Sequence, residues 1–171
     1  LVASSWGEIR INATIASYMK GYSDPRSAVY FTTSKLGGDS PYMGMRSGLE
    51  GVKPATYSGY SMPNYEQKDD MLMFCAAETA FLRAEGALRG WDMGGSARDF
   101  YEQGVKLSFD QRKVSGADEY LANAVAVPEP FVDPVNPAKC NYTPKTKITI
   151  AWNEGASTEE KLERIITQKW I

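Results

Sequence analysis

Ser17 and Lys20 stand three apart in Ser17-Tyr-Met-Lys20, the bare spacing of a Ser/Lys acyl-transfer pair in which a desolvated lysine activates the hydroxyl. A match this short recurs by chance, and neither companion motif of that enzyme class is present. Lys20 falls near the end of a helical pattern, where a cation is accounted for by the helix dipole. Glu78 and Glu85 share one helix face at a separation of ~10.5 Å along the axis. Side-chain bending brings such a pair toward the ~6.5 to 9.5 Å of an inverting glycosidase. Arg83 and Arg89 in the same alanine-rich helix supply the structural account, ion pairing along a helix surface, and the sequence favours it. The chain contains no histidine. That removes the usual general base of Ser and Cys hydrolases and the commonest metal ligand. Cys75 and Cys140 are the only cysteines, so a zinc site would need carboxylates to complete it, and no metal is expected. Neither a Walker loop nor a dinucleotide fingerprint nor an EF-hand spacing occurs, so no cofactor is expected either. Cys75 in an apolar helical run and Cys140 in a proline-rich loop are expected to remain free thiols.

The aromatic residues carry more information. Tyr30, Tyr42, Tyr57, Tyr60 and Tyr65 lie in or beside an irregular stretch rather than on a helix stripe. A loop tyrosine offers a flat apolar face and a polar tip. Sugar rings present apolar C–H faces that such side chains stack on, while Asp39, Arg46 and Asn64 are placed to meet hydroxyls. The expected ligand-binding set is therefore Tyr42, Arg46, Tyr57, Tyr60, Asn64 and Tyr65. The structural alternative is that these rings pin a long loop onto the helices.

The elements that must hold these residues follow from periodicity and turn chemistry. The chain has 171 residues, 43% hydrophobic and 23% charged, with a net charge of −2, which suits one globular domain over 1–171 and disfavours a polyphosphate partner such as nucleic acid. Ser5 and Glu8 have capping-box spacing before Trp6, Ile9, Ala13, Ala16 and Met19, predicting a first helix that ends near Gly21. Asp24-Pro25-Arg26 reads as a new start that leads to a short turn or strand at Val29–Phe31. From 36 to 68, glycine, proline, serine and tyrosine without sustained period predict a long irregular insert. A helical hairpin is expected over 70–113. Asp69 or Asp70 caps its first helix, with the stripe Phe74, Ala77, Phe81, Ala84 and Leu88, and Ser96 caps the second. Small residues at Ala84, Ala87, Ala97 and Gly104 permit the close approach of tetratricopeptide-type pairs. The prolines between Val127 and Lys147 predict an extended loop. A short strand follows at Lys147–Trp152, then a last helix boxed by Ser157 and Glu160 whose Leu162, Ile165, Ile166 and Trp170 face inward. The fold class is mainly α, with tetratricopeptide-like helical hairpins, long irregular loops and at most a few short strands.

Ala77-Glu78-Thr-Ala-Phe-Leu82-Arg-Ala84-Glu85-Gly-Ala87 resembles the Ala-Glu-x-x-x-Leu-x-x-Ala-Glu-Ala helix of the SusD/RagB family of nutrient-binding lipoproteins. Tyr22-Ser-Asp24-Pro25-Arg26 is similar to that family's Tyr-x-Asp-Pro-Arg turn, Trp91–Gly95 with Tyr101 and Gly104 to its next helical pair, and Ile165-Ile166-Thr-Gln168-Lys169-Trp170 to its Ile-x-x-Gln-Lys-Trp segment. The similarity runs the length of the chain and corresponds to the C-terminal part of a typical member, a piece of its α/α superhelix without the lipidated N-terminus, early tetratricopeptide helices and last segment. The resemblance implies a lipid-anchored protein at the outer-membrane surface. Such a protein binds a glycan or peptide without catalysis and hands it to a SusC-like TonB-dependent transporter. It also implies that Glu78 and Glu85 belong to the scaffold; the ligand contacts are not carried over from the family. Gly86 stands where the family often has alanine.

Overall fold

A computed structural model describes residues 7–50 and 53–171, and the proposed cap at Ser5 and the ring of Trp6 lie outside them. The chain divides into two compact units, one of residues through Asp70 with Pro128–Lys147, the other of Met71–Val127 with Ile148–Ile171. Among the described residues there is no strand, only three isolated bridges: Asn12 with Met45 (parallel), and Phe31 with Pro63 and Phe131 with Tyr142 (antiparallel).

The first unit carries α1 (Ala13–Gly21), α2 (Ser27–Tyr30), α3 (Pro54–Tyr57) and α7 (Pro137–Cys140). The first helix begins later than its apolar period predicts. Asn12, in extended backbone, is its N-cap, its Oδ1 accepting from Thr14 N at 2.7 Å. The preceding Ile11 instead accepts from Met45 N and donates to Ser61 O by backbone hydrogen bonds. Ala13, Ala16, Ser17 and Met19 are its buried face. Ser17 Oγ donates to the carbonyl of Glu129. Lys20 pairs with Asp39 and Glu129; burial works against its charge, but these two carboxylates outweigh it and raise its pKa. The Ser-x-x-Lys spacing thus serves packing. Asp24 Oδ1 accepts from Arg26 N at 3.0 Å, but this closes the turn before α2 rather than capping it. The helix starts at Ser27 with Arg26 as its N-cap and no side-chain cap, so Pro25 is not its first residue and Val29–Tyr30 are helical rather than a turn or strand. The described residues of 36–68 are irregular apart from the single turn α3. The proline-rich stretch is less extended than expected. Pro137 at the first helical position supports α7, which buries Cys140.

The second unit holds α4 (Ala76–Leu88), α5 (Ala97–Gln111), α6 (Ala117–Leu121) and α8 (Thr158–Trp170). Cys75 Sγ lies 3.1 Å from Gln111 Oε1, Phe81 stacks over Gly104, and the Arg83 guanidinium sits 3.9 Å over the Phe100 ring. Partner numbers fall as the first numbers rise, so α4 and α5 are antiparallel. A Cβ on Gly104 would lie 2.6 Å from the Phe81 ring, so this glycine sets the helix spacing. Gly86 has a similar role, since a Cβ there would meet Met93 Sδ at 2.8 Å in the turn after α4. Ser96 caps α5 as expected, with Asp99 completing a capping box there, and the Ser157/Glu160 box forms as its spacing predicts.

Five expectations for these elements are corrected. Helix α4 starts after Cys75, not at Asp69 or Asp70. Asp69 Oδ2 accepts from Glu66 N at 2.7 Å, so its capping capacity is used on the preceding turn. Phe74 leaves the helical stripe and is 93% exposed, with Met71, Leu72 and Met73 also exposed. Cys75 is consequently the N-cap rather than an interior helical residue; both cysteines are free thiols. Residues 147–152 keep the alternation of a strand, burying Ile148 and Ile150. Helical partners take their hydrogen bonds instead: Tyr101 Oη donates to Ile150 O at 2.7 Å, and Arg164 Nε to Thr149 O at 3.0 Å. Finally, α8 buries Arg164, Ile165, Thr167 and Gln168, while Ile166 and Trp170 stand about half exposed. Of the polar residues on the buried face, Gln168 pairs with Tyr120 and Arg164 donates to Thr149 through Nε and Nη2, while Arg164 Nη1 is buried without a hydrogen-bond partner.

Candidate functional site

In the first unit the loop 43–49 is pressed against the entry to α1. Ala13 N donates to Met45 O at 3.0 Å and Met45 N to Ile11 O at 2.8 Å. Ser61 locks the other side: its N donates to Met43 O and its Oγ accepts from Met43 N at 3.1 Å. Such contact requires Gly44, since a Cβ there would fall 2.4 Å from Asn12 O and 2.7 Å from Ala13 Cα. Asn12 then works twice, capping α1 with Oδ1 and donating from Nδ2 to Ser47 Oγ. Gly48, at φ +81°, turns the chain away.

This junction opens a cleft of about 520 Å³ lined by Glu8, Arg10, Asn12, Arg46, Ser47 and Tyr57, with Met45, Gly48 and Leu49 as its wall. That volume is in the range of small-molecule sites. Arg10 is fixed from three directions: Nε donates to Tyr57 O at 2.8 Å, and Nη1 to Gly7 O and Ile9 O. Its guanidinium carbon lies 5.2 Å from the centre of the Tyr57 ring. Arg46 lies at the same distance from the ring of Tyr142, the residue bridged to Phe131. Both contacts have cation–π geometry. The cleft thus combines two oriented guanidiniums with a half-buried tyrosine, an amide and a hydroxyl. It has hydrogen-bond donors for a polyol or an acid.

Across the wall lies a second recess of about 400 Å³, lined by Thr56, Tyr60, Glu50, Asn136, Lys139 and Cys140 together with Met45 and Leu49. Tyr60 is 6% exposed and its hydroxyl donates to Asp133, with both carboxylate oxygens within 2.9 Å. Asp133 also accepts from Val135 N and Asn136 N. Burial, then the hydrogen bond to Asp133 and its charge, push the Tyr60 phenol well above its ordinary value of 10. Burial likewise raises the Cys140 thiol, with Asp133 adding and Arg46 and Lys139 opposing. Replacing Tyr60 by Phe is expected to cost about 1.5–3 kcal/mol at neutral pH, the worth of a hydrogen bond to a charged acceptor. Above pH 10 the unfolded chain loses the phenol proton while the folded one retains it, so wild-type stability falls there. Denaturant titrations at pH 8 and above pH 10 check this: the gap between wild type and Tyr60→Phe should narrow at the higher pH.

The six residues expected to bind ligand are thus divided. Arg46 and Tyr57 line the cleft. Tyr60 is a core residue whose polar tip is used by Asp133, with one edge on the neighbouring recess. Tyr42 packs edge-on against Phe31, at 6.0 Å between ring centres. Asn64 donates to Val29 O, and Tyr65 beside it is 44% exposed. Tyr42, Asn64 and Tyr65 line neither cavity. Arg10, Asn12 and Ser47 were not legible as cleft residues. Arg10 lies inside the apolar period that predicts a helix, and the Asn12–Ser47 contact spans 35 residues.

In the second unit, Glu85 Oε1 accepts from Arg89 Nε and Nη2 at 2.9 and 2.7 Å, and Glu78 lies 3.2 Å from Lys169. Each carboxylate is engaged by a cation on a helix surface. Among the described residues no group of three His, Cys, Asp or Glu side chains could hold a metal ion, and no helix is long and apolar enough to cross a membrane.

The family model described as SusD-like, SusD and RagB outer membrane lipoprotein, matches residues 1–171. Among solved structures, a SusD-like protein from Bacteroides thetaiotaomicron is 47% identical with a TM-score of 0.91, over 99% of this chain and 36% of its own. A chitin-binding SusD homolog from Flavobacterium johnsoniae gives 47% and 0.91, over 99% of this chain and 35% of its own. A SusD homolog from Bacteroides uniformis gives 48% and 0.86, over 93% and 33%. No curated protein matches. The chain spans about a third of the length of these structures.

Proposed function

Given that this chain belongs to the SusD-like family of outer membrane lipoproteins, we propose that it captures a glycan, or in a second form of cargo a peptide, at the outer-membrane surface without transforming it. A SusC-like TonB-dependent transporter receives the cargo, and a lipid anchor holds the protein at the membrane. The observation that carries this reading is the donor-lined cleft of about 520 Å³ between Arg10, Asn12, Arg46, Ser47 and Tyr57. Its support from relatives is the 47% identity to a homolog described as chitin-binding. A tyrosine face and several oriented donors suit recognition of a polyol. Engagement of Glu78 and Glu85 by Lys169 and Arg89 supports their scaffold role.

Titrating the full-length protein with a panel of oligosaccharides, read by intrinsic tyrosine and tryptophan fluorescence, tests the reading. At least one glycan is expected to bind, and Tyr57→Ala is expected to weaken it five-fold or more with the glycan recovered intact. Cleavage products would contradict it, as would full affinity in the variant. A protein-interaction module is the second reading, favoured by the exposed run Met71–Phe74; silence across the whole panel would favour it.

A further inference from the structure

We propose that the cleft is selective for an acidic sugar, one carrying a carboxylate or a sulfate ester, held by the guanidinium of Arg46 with Arg10 in the same lining. This deepens, and rests on, the glycan-capture reading. Arg46 is half-buried, and its guanidinium lies against the Tyr142 ring. No carboxylate, carbonyl or hydroxyl among the described residues accepts a hydrogen bond from it. Four other arginines are differently placed: Arg26, Arg89 and Arg98 each face a carboxylate, and Arg83 donates to Met93 O. A guanidinium carries five donors in a planar fork that fits two oxygens of a carboxylate or sulfate at once. Stacking on an aromatic ring orients that fork before the ligand arrives and lowers the entropy lost on binding.

Arg10 adds a second uncompensated charge. Its partners are the carbonyls of Tyr57, Gly7 and Ile9, which orient the guanidinium without cancelling it. Glu8 is the only carboxylate in the lining; it is exposed and makes no ion pair among the described residues. The lining is therefore net positive by one charge, in a chain whose total is −2. A neutral saccharide would use one or two of these donors. An acidic one uses the fork and the charge together, and charge-assisted bonds are about twice as strong as neutral ones.

Calorimetric titration of the full-length protein at low ionic strength tests this with two matched pairs: tetragalacturonate against its methyl ester, and a carrageenan tetrasaccharide against its desulfated form. At least one acidic member is expected to bind ten-fold or more tightly than its neutral partner, with the preference falling as salt is raised. The pair that shows it separates carboxylate from sulfate. Arg46→Gln is expected to reduce the preference to two-fold or less, and Arg46→Lys, which keeps the charge without the fork, to retain part of it. Thermal melts confirm that both variants fold. Matched affinities within each pair, binding of neutral glycans only, or a preference that survives Arg46→Gln overturns the proposal and leaves glycan capture standing. Failure of every glycan, acidic and neutral, removes both.

Discussion

Replacing Arg26 by Met is expected to destabilise the protein by about 3–5 kcal/mol, the cost of leaving a buried charge without its partner. Asp24 and Arg26 are both buried with side chains of zero exposure, joined by Arg26 Nη2 to Asp24 Oδ2 at 2.6 Å and by Nε to Oδ1 at 3.0 Å. The same Oδ1 accepts the backbone N–H of Arg26, and Asp24 N donates to Met19 O, so the pair fastens the turn between α1 and α2. Asp24→Asn should cost a comparable amount, because the guanidinium then faces a neutral amide. Replacing both residues by apolar ones should cost less than the sum of the single changes, since no unpaired charge remains. Urea titrations of the three variants measure this; additive losses would show that the pair is not coupled.

Gly44→Ala is expected to cost about 3 kcal/mol, the upper part of the range for overpacking, and to abolish ligand binding with it. The added methyl would meet backbone atoms, Asn12 O at 2.4 Å and Ala13 Cα at 2.7 Å, rather than a side chain able to rotate away. Relief requires the loop to move off α1, which breaks the Ala13–Met45 and Met45–Ile11 hydrogen bonds. Asn12, Arg46 and Ser47 all line the cleft from the two sides of this seam, so the cleft opens with it. By contrast Gly37→Ala, where nothing lies within 4 Å, meets only the local penalty of φ +69°. Circular dichroism melts and glycan titration of both variants distinguish the seam from a general loop effect.

Much of the helical frame is legible because its signals are local. The boxes at Ser96/Asp99 and Ser157/Glu160 are complete within four residues. The antiparallel pairing of α4 and α5 follows from a short connection and the small residues that let Phe81 lie over Gly104. Signals fail where two local uses compete or where a distant partner decides. Asp69 has cap chemistry but spends it on Glu66 N, so the helical period running back through Phe74 has nothing to bury it. Residues 147–152 alternate like a strand, yet their partners are side chains of α5 and α8 rather than another strand. Arg164 and Gln168 occupy buried positions where an apolar stripe would place Ile166 and Trp170, because Thr149 takes two of the three guanidinium nitrogens of Arg164 and Tyr120 pairs with Gln168.

The tyrosines expected to bind ligand show the same boundary. Composition identifies the loop 36–68 as aromatic, but whether a phenol tip meets water or protein is non-local. Tyr60 is committed to Asp133 seventy-three residues away, whereas Tyr57 stays at the cleft beneath Arg10. Arg46 was identifiable as a loop cation. Its partner ring Tyr142 lies in the proline-rich stretch, and only the fold brings the two together.

Hydrogen–deuterium exchange of the full-length protein, with and without its tightest glycan at saturation, is the most direct test of ligand capture at the Asn12–Met45 seam. The account predicts slower exchange at residues 10–12 and 44–48. Slowing confined to Met71–Val127 and Ile148–Ile171, with 44–48 unchanged, would contradict it.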